Sequence, residues 1–271
     1  VYDSLNEAEW KRVDRAWDLL DDGEIEQARV EADGLLRERP RHPDLLVLDA
    51  AVSIDEGRAD RAIHALRGAE RSADPALFFY LRAMARFHRV ELESARADAE
   101  KSLAVRPQLA ESHALLSRIC EFLDDPTGAA QHAEAASEMD GEAFPMPLAV
   151  DDEEFDRLVE QELGALPDRV RDHLRELPVM VEALPERTLL TAEEPPLPPD
   201  ILGLFVGRDL MERRHDDVAD TPGAIYLFRR NLLRVCRDRA ELSREIRVTV
   251  QHEVGHYLGL DEDDLERWGL G

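Results

Sequence analysis

A period of about 34 residues governs the first half of the chain. Ala28, Ala62, Ala95 and Ala129 follow one another at intervals of 34, 33 and 34 residues, and Ala16, Ala50, Ala83 and Ser117 keep the same intervals. Pro40, Pro75 and Pro107 close three of the units, and Gly141 ends the fourth. A chain with a small residue at two fixed offsets in every unit packs something closely there, twice per unit. A pair of helices meets that demand. The small residue of the first helix lets the second approach, and the proline stops the second. Gly23 and Gly57 stand where the first two pairs would turn.

Period, offsets and prolines together resemble the tetratricopeptide repeat (TPR), over roughly residues 7–141. The resemblance implies an α-solenoid of four helix-turn-helix repeats whose concave groove takes a peptide or a partner helix. Some members of that family clamp a terminal carboxylate with Lys and Asn at set groove positions. Val13, Val47, Tyr80 and Ala114 stand at the corresponding positions here, and none is basic. That clamp is therefore not expected. Trp10, Trp17, Tyr80 and Met84 allow two readings, an apolar groove or, as the favoured one, packing between repeats.

Gly141 to Val150, with two prolines, breaks the pattern and reads as a linker. The expected domains are 1–141, a linker over 142–150, and 151–271. The whole chain is expected to be mainly α, with the solenoid followed by a small α+β domain. In the latter, Asp151–Leu163 and Pro167–Leu177 read as helices, while Val179–Leu184, Ile201–Val206 and Ala224–Phe228 read as strands. Ala224–Phe228 is the candidate edge for an extended substrate. Tyr226 on it is either an oxyanion donor or, the better reading, a core tyrosine. Arg229, Arg230, Arg234, Arg237 and Arg239 are expected to pair with Glu241 and Glu245 or with the acidic repeats.

The chemistry lies near the end, in His252-Glu-Val-Gly-His256. On a helix, residues four apart share a face, so His252 and His256 can present two imidazoles to one cation. Glu253 beside them holds the general-base position of a metal-dependent hydrolase. Leu242, Ile246, Val250, Val254 and Leu258 recur every fourth residue as a buried stripe. Asp238 reads as the N-cap with Glu241 completing a capping box, and Gly259 as the left-handed C-cap. A catalytic zinc takes three protein ligands. Glu262 is the favoured third, Asp261 the second choice and His215 an outside candidate.

This motif, with the segments at 179–184, 202–207, 224–232 and 245–265, resembles a family of small bacterial zincin-like metallopeptidases from about Asp151 onward. That family carries His-Glu-x-x-His-x-x-Gly-x-x-acid, its last position often Asp where this chain has Glu262. The resemblance implies a minimal zincin with one zinc per chain on His252, His256 and the acid. The function expected is hydrolysis of peptide bonds through a metal-activated water, with Glu253 as base and the repeats recruiting the substrate or a partner. The alternative is a TPR scaffold whose zincin domain is a structural or inactive metal site, which a fourth protein ligand would favour.

The net charge of −26 bears on partners rather than fold. So acidic a surface repels nucleic acid and anionic membranes. The partners expected are a peptide or protein substrate and a protein in the repeat groove, with no nucleic acid and no membrane. Cys120 and Cys236 form no CxxC and read as reduced structural thiols. A cytoplasmic location is expected, with a removed N-terminal signal left open because the chain opens on Val1.

Overall fold

The structure, a computed structural model, describes residues 4–175, 177–207 and 223–260. It is mainly helical, with a small sheet late in the chain, and forms two compact units. Val1–Phe144 with Leu190–Pro199 make the first, and Pro145–Leu189 with Asp200–Gly271 make the second.

The first unit is a series of helix pairs. They are α1 (Glu7–Asp21) with α2 (Ile25–Glu38), α3 (Pro43–Asp55) with α4 (Ala59–Ala69), α5 (Pro75–His88) with α6 (Leu92–Val105), and α7 (Ala110–Phe122) with α8 (Pro126–Met139). Each helix packs on the next, and α1, α3, α5 and α7 also pack in series, which is a solenoid's arrangement. The small residues sit where the period placed them. Ala16, Ala28, Ala50, Ala62, Ala83 and Ala95 are fully buried, and Ser117 and Ala129 are nearly so. Pro40 and Pro107 follow the ends of α2 and α6. Pro75 instead opens α5, where Asp74 caps the helix by accepting from the Leu77 N–H at 2.9 Å. A proline lacks the N–H that the first helical turn leaves unpaired, so it suits that position.

Every pair turns through one residue in the left-handed region: Gly23 (φ 77°), Gly57 (φ 71°), Val90 (φ 60°) and Asp124 (φ 55°). The following N–H then reaches back into the helix, from Glu24 to the Leu19 carbonyl, Arg58 to Ser53, Glu91 to Arg86 and Asp125 to Cys120, at 2.7–2.9 Å. These bonds satisfy carbonyls that a helix end would leave bare. Two of the four turns thus use residues other than glycine.

Buried acids in this unit are paired. Asp98, fully buried, accepts from Arg82 at 2.7 and 2.8 Å and from Arg86 at 2.5 Å. Burial pushes its carboxyl up, but the two guanidinium groups outweigh that and hold it below the usual carboxylate range. Trp17, Tyr80 and Met84 pack against the core of the second and third pairs and also border a cavity of about 370 Å³, so both readings of these side chains apply. Trp10 is exposed.

The second unit opens with α9 (Asp152–Ala165), capped by Asp151. The helix expected over Pro167–Leu177 is much shorter, Asp168–Arg171, followed by a 3-10 turn at His173–Arg175. Strands β1 (Val179–Glu182), β2 (Gly203–Val206) and β3 (Ala224–Phe228) form a sheet of order β1-β3-β2, with β1 parallel and β2 antiparallel to β3. The expectation that Ala224–Phe228 is the open edge is therefore wrong. β3 is central, with both sides hydrogen-bonded, and β2 is an edge among the described residues. Ile225 and Leu227 point into the core with Phe155, Val159, Leu232 and the last helix.

Candidate metal centre

The helix Arg239–Tyr257, the motif helix, carries the site. Asp238 caps it, its carboxylate accepting from the Glu241 N–H at 2.8 Å. Glu241 returns to the Arg237 N–H at 2.7 Å, one residue before the N-cap, rather than closing the expected box. The stripe of Leu242, Ile246, Val250 and Val254 is buried as expected. Its burial roots the helix on the sheet and fixes which face is turned away. Gly259 adopts φ 81°, and the Leu260 N–H bonds to the Gly255 carbonyl at 3.1 Å, so the helix ends directly after the second histidine.

His252 and His256 stand one turn apart with their Nε2 atoms 3.0 Å from each other and ring centroids at 4.6 Å. Both are part-buried. Two imidazole nitrogens converging on one point from one helix face is the arrangement a divalent cation requires of its first two ligands. The third expected ligand, Glu262, lies outside the described residues, as do its rivals Asp261 and His215. Among the described residues no group of three His, Cys, Asp or Glu side chains could hold a metal. The two nitrogens fit the first two ligand positions of a zinc.

Glu253 is buried, at 7% exposure, and its Oε2 accepts from the backbone N–H of Phe205 on β2 at 2.6 Å. Gly203, two residues earlier on the same face of β2, lies against Thr249 and Glu253. Phe205 and Tyr257 meet edge to face at 5.6 Å, which packs β2 onto the end of the motif helix. Neither Gly203 nor the Phe205 amide was singled out in the sequence. A lone glycine in a short strand is a signal of close backbone approach and could have pointed there. Tyr226 alternates to the face opposite Ile225 and Leu227, away from the motif helix, so the oxyanion reading of that side chain loses its geometric basis.

Two of the arginines ahead of the motif helix pair with acids other than those expected. Arg239 pairs with Glu154 at 2.5 Å and Arg229 with Asp152 at 3.1 Å, both acids lying in the first turn of α9. Further along, Arg247 pairs with the buried Glu162 at 2.5 Å. Cys120 and Cys236 are both free and buried. Burial, helped by Glu245 and Glu241, pushes the Cys236 thiol up to about 12, which makes it a poor nucleophile.

Residues 174–270 match the family described as zincin-like metallopeptidase. The match contains both histidines, Glu253 and all four acids of the Asp261–Asp264 run. No curated protein matches the chain. Among solved structures that match is one titled "MamA RS-1 ArsTM double mutant", 21% identical, with a TM-score of 0.40, covering 51% of this chain and 78% of that one. Among the described residues, no helix is long and apolar enough to cross a membrane.

Proposed function

We propose that the second unit is a zinc-dependent peptidase and that the repeats bring it a protein substrate or partner. The observation that carries this reading is the convergence of the His252 and His256 nitrogens beside the buried Glu253 carboxylate, within a segment that matches a metallopeptidase family. His252, His256 and Glu262 would hold one zinc, and when bound it would supply a Lewis acid for the scissile carbonyl and a water acidic enough to attack at neutral pH. Glu253 takes the proton of the attacking water and returns it to the leaving amine. Its place on the helix next to the first histidine, with one carboxylate oxygen held by the Phe205 N–H, suits a base that moves little between the two transfers.

The cavity beside Trp17, Tyr80 and Met84 supports recruitment through the first unit. Its lining joins these side chains to Asp21, Asp55 and Glu111, which suits an apolar segment of another protein that carries a basic side chain. The alternative, a scaffold with a structural metal, would need a fourth protein ligand.

The test is hydrolysis of a fluorescence-quenched peptide library by the zinc-loaded chain, compared with Glu253→Gln. Turnover that falls at least about 100-fold in the variant while zinc content stays the same supports the peptidase. Equal turnover in both proteins would contradict the role given to Glu253. One zinc that resists chelation, with no cleavage, would favour the scaffold.

A further inference from the structure

We propose that Gly203 is a positioning residue for the base: by having no side chain it lets the Phe205 backbone N–H hold the Glu253 carboxylate. The hydrogen bond stands on geometry alone, and its catalytic consequence rests on the peptidase reading above.

The strand register explains why that amide is available. The Phe228 N–H bonds to the Leu202 carbonyl at 2.9 Å, so Leu202 and Phe228 form a hydrogen-bonded pair. In an antiparallel ladder such pairs alternate with pairs whose backbone groups point away. Leu204 and Val206 therefore turn their amides to β3, while Gly203 and Phe205 turn theirs outward. The Phe205 N–H has no partner in the ladder and donates to Glu253 Oε2 at 2.6 Å.

Gly203 sets the distance over which this happens. A Cβ there would lie 2.5 Å from Thr249 Cγ2, 3.1 Å from the Tyr226 carbonyl oxygen and 3.4 Å from Glu253 Cγ. Thr249 and Glu253 are four residues apart on the motif helix and face β2 together. Any larger residue at 203 forces Thr249 to give or lifts β2 away from the helix, and the amide is lifted with it. The backbone donor fixes one oxygen of this buried carboxylate. Displacing a reacting group by about 1 Å can cost on the order of 100-fold in rate.

The experiment follows amide exchange at Phe205 by NMR on the full chain without added metal, in the wild type, Glu253→Ala, Gly203→Ala and the double variant Gly203→Ala/Thr249→Ser. The serine lacks the Cγ2 atom that the new methyl meets. Exchange at Phe205 should quicken by about 10-fold or more in Glu253→Ala and in Gly203→Ala, and return towards the wild-type rate in the double variant. Unchanged protection of the Leu227 amide in the central strand reports that the fold is intact. Wild-type exchange at Phe205 in Glu253→Ala overturns the hydrogen bond, whether or not Gly203→Ala folds. With zinc and the quenched peptide library, Gly203→Ala should lower kcat about 10- to 100-fold with KM and zinc content within about twofold, and Thr249→Ser should restore it. Full kcat in a Gly203→Ala protein whose Phe205 amide exchanges rapidly overturns the positioning role. No turnover by the wild type sinks the peptidase reading instead, while the exchange result is read without turnover, so the two failures separate.

Discussion

The Nε2 atoms of His252 and His256 stand 3.0 Å apart across one helical turn. On one tetrahedral zinc, with nitrogens about 2.0–2.1 Å from the ion, two such atoms stand about 3.3 Å from each other. The pair therefore needs only a few tenths of an ångström of relaxation to chelate. Purified protein supplied with zinc should hold about one ion per chain, and His252→Ala and His256→Ala should each abolish stoichiometric binding. Glu262→Ala should weaken it by more than the roughly 10- to 100-fold that loss of an outer-shell partner costs, because a direct ligand is removed. Metal analysis after dialysis checks all three. Full retention of zinc in Glu262→Ala would move the third ligand to Asp261 or His215.

Arg247 is the partner of a buried carboxylate, that of Glu162 on α9, at 2.5 and 2.9 Å. Its removal leaves Glu162, 4% exposed, without its guanidinium. Arg247→Ala should destabilise the second unit by about 1–2 kcal/mol, since the arginine itself is half exposed, and the double change Arg247→Met/Glu162→Leu by less, because no charge is then left stranded. Urea unfolding followed by circular dichroism checks the order of the three proteins. A loss no larger in the single variant than in the double would contradict it.

How much of this was legible in the sequence follows from how local each feature is. The motif helix could be read from one stretch: Asp238 as its cap, the fourfold stripe as its buried face, Gly259 as its stop, and the two histidines as one face. Each of these depends on spacings of a few residues. The Phe205 amide that meets Glu253 is 48 residues away and belongs to the backbone, so its own side chain does not mark it, and only Gly203 nearby hints at a close approach. The edge strand was misassigned for a related reason. Ala224–Phe228 has the apolar run of any short strand, and whether such a run is central or an edge depends on what pairs with it from elsewhere. The partners of Arg229 and Arg239 were missed because α9 supplies them from about 80 residues upstream.

The turns of the repeats show the same limit at short range. Gly23 and Gly57 announce left-handed turns, whereas Val90 and Asp124 adopt the same backbone without announcing it. A side chain there costs about 1–2 kcal/mol relative to glycine. Asp124 is exposed and its side chain contributes little packing, so Asp124→Gly should raise the stability of the first unit by about 1 kcal/mol. Val90 is buried at 6%, and its glycine variant should gain nothing, because the packing it gives up offsets the relieved strain. Thermal melts of the two variants against the wild type separate the cases. A lower midpoint for Asp124→Gly would show that its side chain does more in this turn than strain it.

A pH dependence should come from the last helix pair. His113 on α7 and His132 on α8 bring their Nδ1 atoms to 2.9 Å, and His113 Nε2 lies 3.2 Å from the Pro107 carbonyl, which accepts its proton. In that tautomer His113 Nδ1 accepts and His132 Nδ1 donates. Burial first, then the neighbouring His113 and Arg96, push His132 below its ordinary value of 6.5, against the opposing pull of Glu100 and Asp125. The unfolded chain thus binds a proton more readily than the folded one. By linkage, stability is unaffected well above 6.5, falls as the pH drops below that value, and stops falling once the folded-state histidine has also titrated. His132→Gln removes the titrating ring and should flatten the slope of melting temperature against pH between about 6.5 and 5. Melts of the two proteins across that range check it. A slope equal in both would assign the acid sensitivity to other groups and leave the His113–His132 pair without a role in it.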